Sequence, residues 1–381
     1  MLTTLRVLEA LVGVALVFAA LDAMVRTFLL PRGVPVAGTR LVGLTLGALF
    51  SAAGHAVHRY ETRDRVLALY GPIYVLSLLV AGLLGAGLGY SLLFHAATDL
   101  DWRSSVRMSG SALFTLGFAA PDSSAQTALV FSEAALGLIL IAFLIAYLPT
   151  IYGAFSRREL LVSQLSVRAG APPSPVGLLV RAHRTDYLPL LDPFFAQWEV
   201  WFDELDETHS SLAILSYFRS PRPDRSWVVA AGVVLDSAAL RLALIDLPPS
   251  PQAAVTIRSG YVALRSVADV SQIPYDSDPR PGDPISVTRE EFDEVADRLS
   301  AAGVPLKADR DRSWAAFAGW RVNYDAVLRT IAGMVMAPPA PWISDQPPTE
   351  RYRPPLRQRR AARLNAAQDA ARHAARDGNG S

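Results

Sequence analysis

The 381-residue chain contains no cysteine. Disulfides, thiolate metal sites and cysteine nucleophiles are therefore excluded. No Gly-rich phosphate loop is present, and no H-x-x-x-H pair or carboxylate cluster makes a convincing metal site. Ser109 and Ser111, in Ser-Gly-Ser-Ala, lack the G-x-S-x-G setting of a serine nucleophile. No catalytic residue and no cofactor is expected on these grounds. A surplus of charge is missing as well. The net charge of +1 makes no case for nucleic acid. Strand signal is scarce, so the expected class is all-α.

Apolar residues are abundant instead. They make up 51% of the chain, and mean hydropathy is +0.26. That is too apolar for an ordinary soluble enzyme and too polar for a chain held entirely in a membrane. The mean conceals a split. Roughly the first 155 residues are dense in Leu, Ala, Gly and Val. The rest alternates apolar runs with Arg, Asp, Glu and Pro. Four segments are expected: 1–66, 67–155, 156–336 and 337–381.

Val7 to Leu30 is the first long apolar run, ended by Pro31-Arg32-Gly33. At ~1.5 Å per residue it can cross a ~30 Å hydrocarbon core. Asp22 and Arg26 stand four apart on one helix face, a spacing that allows an ion pair. The run is too long for a signal peptide, and no A-x-A site follows. Leu41 to Val57 is less apolar and reads as a helix on the membrane surface or as a short span. Arg32, Arg40, His58, Arg59, Arg63 and Arg65 flank it. Keeping them all inside favours the surface helix. Leu67 to Ala97 and Thr127 to Tyr152 are two further spans. Gly85 and Gly89 make a small-xxx-small pair that can admit a neighbouring helix, although glycine is also simply common in membrane helices. Ser156-Arg157-Arg158-Glu159 places the end of the third span inside, and the N-terminus then lies outside.

Between the last two spans lies SGSALFTLGFAAPDSS, Ser109 to Ser124. A span, a short helix, an extended segment and a second span are how a selectivity filter is built. Backbone carbonyls there replace the hydration shell of an ion. The segment resembles the pore unit of tetrameric cation channels, whose potassium-selective members carry T-V-G-Y-G. Thr115 takes the Thr place, Leu116 the Val, Gly117 the first Gly and Phe118 the aromatic. Ala119 stands where the second Gly belongs. A left-handed backbone there costs an L-residue about 1–2 kcal/mol.

The wider chain, from about Val7 to Ser271, resembles a bacterial ion-channel-like family. In it a pore unit leads into YLPTIYGAFSRRELLVSQLSVRAGAPPS, here Tyr147 to Ser174, and then a helical domain with W-E-x-W, here Trp198 to Trp201. The resemblance implies a tetrameric-cation-channel-like pore unit joined to a cytoplasmic helical domain, in the cell (inner) membrane. It implies a filter at Thr115, Leu116, Gly117, Phe118 and Ala119, conducting potassium or other monovalent cations. Leu116 and Phe118 would pack behind that filter. One pore segment per chain cannot close a ring, so a homotetramer is expected. Gly137 and Pro149 interrupt the last span. They mark either a gating hinge or, at Pro149, only the helix end. Glu133 either braces the filter or sits at the headgroup boundary. One rival is a non-conducting membrane scaffold or sensor with a degenerate channel fold. The other is a membrane-tethered enzyme with its site in residues 175–336.

Beyond the membrane, Tyr187 to Arg219 is expected as a helix with Phe194, Phe195, Trp198, Trp201, Phe202 and Leu205 in the core. Ser226 to Leu247 is apolar, but Asp236, Arg241 and Asp246 make it a buried helix of a soluble bundle rather than a span. Ala253 to Val270 is another helix. Thr288-Arg289-Glu290-Glu291 reads as a capping box for a helix that stops at Gly303. One last helix is expected from Ser313 to Met336. His183 and His209 are expected on the surface. From Ala337 the Pro-, then Arg- and Ala-rich tail is expected to be disordered. Its Arg357, Arg359, Arg360 and Arg363 are either solvated or in touch with anionic membrane lipids.

Overall fold

The computed structural model describes residues 2–28, 37–57 and 59–344. All regular structure among them is helical, apart from one isolated antiparallel bridge between Ile245 and Leu306. The chain forms two compact units, Met1–Phe155 and Ser156–Ser381.

The first unit opens with α1 (Leu2–Phe28), followed by α2 (Ala37–Ala56), α3 (Tyr60–Ala68), α4 (Tyr70–Ala97) and α5 (Trp102–Leu113). It ends in the first part of α6 (Ser124–Ala169), which continues into the second unit. Three helices are long and apolar enough to cross a membrane: α1, the α3–α4 run from Tyr60 to Ala97, and α6. The second of these starts earlier than Leu67, because Leu69 stays in the right-handed helical region and joins α3 to α4.

α1 runs antiparallel to α4 at close range. A Cβ on Gly89 would come within 2.9 Å of the Gly13 carbonyl oxygen, and one on Gly13 within 2.7 Å of the Gly89 oxygen. Gly89 of the small-xxx-small pair therefore serves this crossing, where backbone meets backbone. Gly82 and Gly85 continue the seam against Met24 and Ala20. Polar contacts close one end of it: Glu9 to His95 Nδ1 at 2.8 Å and Arg6 to Asp99 at 3.3 Å. The Asp22–Arg26 pair forms at 2.8 Å. α2 meets the opposite end of α4, with Phe50 edge-on to Tyr70 and Gly43 against Tyr74. It is a shorter apolar helix than the three candidates for crossing. Arg32 and His58 lie outside the described residues, as does the side chain of Arg40.

The second unit packs α7 (Pro175–Arg184), α8 (Asp192–Ser211), α10 (Pro251–Ser271), α11 (Arg289–Ala301), α12 (Arg310–Arg321) and α13 (Asp325–Met334) with a central α9 (Trp227–Ala243). Nearly every residue of α9 is buried, which accounts for its span-like hydropathy. Its one acid, Asp236, is paired inside: Arg321 and the Tyr324 hydroxyl both donate to it, the latter at 2.9 Å. Arg321 also donates to Asp325 at 2.8 Å and to the Trp342 carbonyl. The aromatic stripe of α8 is core, as its three- and four-residue steps require.

Several expectations are corrected. The helix expected from Tyr187 begins only at Asp192. Pro189 sits in a short 3-10 turn before it, and Pro193 occupies the first turn, where a missing N–H costs nothing. The helix also stops at Ser211, short of Arg219. The single last helix is two. The Asn323 side-chain amide donates to the Gly319 and Trp320 carbonyls, both at 3.1 Å, and so ends α12. His209 is buried, 1% exposed, not on the surface. Residues 337–344 are not a loose tail, since Ala340, Trp342 and Ile343 are packed into the core. Residues 345–381, with the four tail arginines, lie outside the described residues.

Candidate functional site

α5 is short and enters between α4 and α6. Asp101 caps it, its carboxylate accepting from the Ser104 amide at 3.3 Å. Hydrogen bonding from Ser104 also holds this carboxyl below the ordinary aspartate value. At the same end the Trp102 ring stacks on His95 at 4.5 Å between centroids. The other end of α5 reaches the middle of both long helices. Ser109 Oγ lies 3.0 Å from the Gly87 carbonyl, and a Cβ on Gly137 would fall 2.2 Å from the Leu113 carbonyl oxygen. Gly87 is about 15 Å of helix from Ala97, and Gly137 about 20 Å from Ser124, at ~1.5 Å per residue. Both distances are close to half of a ~30 Å hydrocarbon core.

The turn is pinned through its amides. Thr115 N donates to the Ala112 carbonyl at 2.9 Å, and Leu116 N to the Ser111 carbonyl at 2.8 Å. Ala119 N donates to Ser111 Oγ at 3.1 Å. No carbonyl of Thr115, Leu116, Gly117 or Phe118 accepts a hydrogen bond among the described residues. The Thr115 hydroxyl donates to the Phe114 carbonyl at 2.8 Å and keeps its lone pairs free. Thr115 and Gly117 are left-handed, with φ of 53° and 70°. For a β-branched residue this is a strained backbone. The left-handed position anticipated at Ala119 is not used. It falls two and four residues earlier, at Gly117 and Thr115.

Leu116 and Phe118 do not pack behind the loop within one chain. They are 62% and 53% exposed, and Phe114 is 52% exposed. The Arg107 guanidinium lies 5.5 Å from the Phe118 ring centroid. Glu133 lies inside the helical packing of this unit. It is fully buried, with Oε1 2.6 Å from Ser109 Oγ and Oε2 without a partner. Through Ser109 it ties α6 to α5 and to the Gly87 carbonyl of α4. Gly137 is where α5 meets α6 backbone to side. Pro149 does not end the helix, because α6 continues through it to Ala169.

Sequence reasoning missed the anchoring roles of Ser109 and Ser111. The signal available was the run of small residues just before Thr115. Which of them would face the loop amides is decided only by the turn itself. No family model, no curated protein and no solved structure matches this chain. What is left to read is Thr115 to Phe118 themselves and their place between α4 and α6.

Proposed function

We propose that this protein is a multi-pass membrane protein of the ion-channel-like kind, in which four copies conduct monovalent cations, potassium foremost, through Thr115–Ala119. Its helical unit from Ser156 on would lie in the cytoplasm. One observation carries the reading: every loop amide that is bonded is bonded back to the end of α5, while four consecutive carbonyls accept nothing. Unpaired carbonyls at membrane depth must line a watery path or be buried in protein. Facing an axis, they can replace the water around a cation. The C-terminus of α5 adds the negative end of a helix dipole at the same depth. Left-handed residues alternating with Leu116 support the reading further, since they turn neighbouring carbonyls toward one side.

The test is cation flux from liposomes holding the purified protein, potassium against sodium, with Gly117→Val as control. A valine cannot hold φ of 70° without strain. Flux that favours potassium and disappears in the variant is the expected result. Equal flux of both ions, lost in the variant, would mean a pore whose selectivity Ala119 has degraded. A monomer without flux would overturn the proposal.

A further inference from the structure

Within the second unit, the loop from Leu212 to Ser226 is tied to the α6 segment beside it. Arg158 Nη1 donates to the Leu215 carbonyl at 2.8 Å and Nη2 to the Phe218 carbonyl at 2.6 Å. Arg225 Nη1 donates to Ser163 Oγ at 2.7 Å. Under this loop lies a small cavity, open on one side, lined by Ser216, Ser220, Arg225, Ser226 and Trp227, with Arg219 and Val335 at its wall.

Three features of the cavity agree in sign. Ser220 is 6% exposed, and its hydroxyl has no partner among the described residues. The Nε–H of Arg225 is buried and also unpartnered. Ser226 holds the N-cap position of α9, yet its hydroxyl caps nothing, so the first amides of that 17-residue helix lack a side-chain acceptor. Donors and a helix N-terminus therefore converge, and no carboxylate is among the lining residues. Buried donors left unpaired are costly. The arrangement is what an oxyanion satisfies, since it brings several acceptor oxygens and negative charge to a helix N-terminus.

We propose that this cavity is a binding site for a phosphate-type oxyanion, carried either by a free phosphate compound or by a lipid headgroup. Arg225 Nε, Ser220 Oγ and the α9 N-terminus supply its donors. The cavity is small, so the terminal oxygens enter it and the rest of the ligand stays in the mouth. Because Arg158 and Arg225 bond the same loop to α6, occupancy stiffens the attachment of the helix that continues from the proposed pore. The site itself does not depend on the pore conducting.

The experiment is thermal unfolding of the full-length protein in neutral detergent, titrated with inorganic phosphate against chloride of equal ionic strength. Stabilisation grows as the logarithm of ligand concentration when binding is to the folded state alone. The wild type is expected to gain several degrees in phosphate only, and Ser220→Ala is expected to lose most of the gain. Ser220 Oγ has no partner among the described residues, so its removal breaks no bond of the fold they form. Arg225→Gln is expected to lose all of it, but also loses the Ser163 contact, and Ser220→Ala is the decisive variant. In a second arm, native mass spectra are recorded from nanodiscs of phosphatidylcholine with and without phosphatidic acid. Phosphatidic acid retained by wild type but not by Ser220→Ala assigns the site to a headgroup. A gain in inorganic phosphate without such retention assigns it to a free compound. Equal behaviour of wild type and Ser220→Ala in both arms overturns the proposal.

Discussion

Gly137 shows how a residue that reads as a hinge can be placed by packing. Its missing Cβ would fall 2.2 Å from the Leu113 carbonyl oxygen, which no real contact permits. Gly137→Ala must therefore push α5 away from α6 and is expected to cost about 1–3 kcal/mol, as overpacking does. Gly110, on α5 itself, has nothing within 4 Å of a built Cβ. Gly110→Ala should be neutral or stabilising by up to about 1 kcal/mol from helix propensity. Thermal unfolding of the two variants side by side checks the contrast. His209 makes a second case. Arg158 Nη1 lies 3.2 Å from its Nε2, and a guanidinium can only donate. His209 must therefore be neutral in the folded chain, and burial, then the Arg158 charge, push its pKa well below the ordinary 6.5. The unfolded chain takes up a proton as pH falls through about 6.5, while the folded chain does not. The stability His209 contributes is thus whole above that pH and lost below it, at about 1.4 kcal/mol per pH unit. Unfolding from pH 8 to pH 5 should show this slope in wild type and a shallower one in His209→Gln. The histidine's burial was illegible in the sequence, because it depends on Arg158, far away along the chain.

Elements were more readable than residues, for a reason of range. The three long apolar helices follow from hydropathy alone, and the α11 capping box follows from four consecutive residues. In that box Glu291 N donates to Thr288 Oγ1 at 3.2 Å, and Thr288 N to Glu291 Oε2 at 2.8 Å. Thr288→Ala is expected to lower stability by about 1 kcal/mol with the helix otherwise in place, read as a shift in the unfolding midpoint of the full chain. Boundaries that failed were set by side chains acting on backbone. Asn323 takes the last carbonyls of α12, so an apolar period running from Ser313 to Met336 is cut where no proline or glycine marks it. The end of the folded unit was misplaced in the opposite way. Pro-rich composition from Ala337 argued for disorder, but the carbonyl of Trp342 accepts from the buried Arg321, and that bond holds the segment in the core. The central helix α9 was separable from a membrane span by its charges alone. Asp236 needs a cationic partner when buried, and the helices packed around α9 supply one in Arg321.

At the scale of the molecule, a single chain leaves the loop unfinished. Phe114, Leu116 and Phe118 are more than half exposed beside carbonyls that accept nothing among the described residues. Apolar side chains can face lipid, but unpaired carbonyls cannot. The same short segment therefore has two needs, cover for its side chains and a polar path for its backbone. In the proposed assembly identical neighbours around an axis would meet both, each loop packing on the next while its carbonyls face the centre. Closed cyclic symmetry is the usual way identical chains associate, and a ring of four is the number that potassium-channel filters use. The complex in mild detergent is accordingly expected at four times the 41.1 kDa chain mass by light scattering, with detergent subtracted. The absence of cysteine makes a second readout clean. Phe118→Cys places one thiol per chain in the proposed contact between neighbouring loops, so mild oxidation should give a disulfide-linked pair and nothing larger under denaturing conditions. A monomer mass with no linked pair would leave the carbonyls of Thr115 to Phe118 facing lipid, an arrangement too costly to persist, and the pore reading would fall with it.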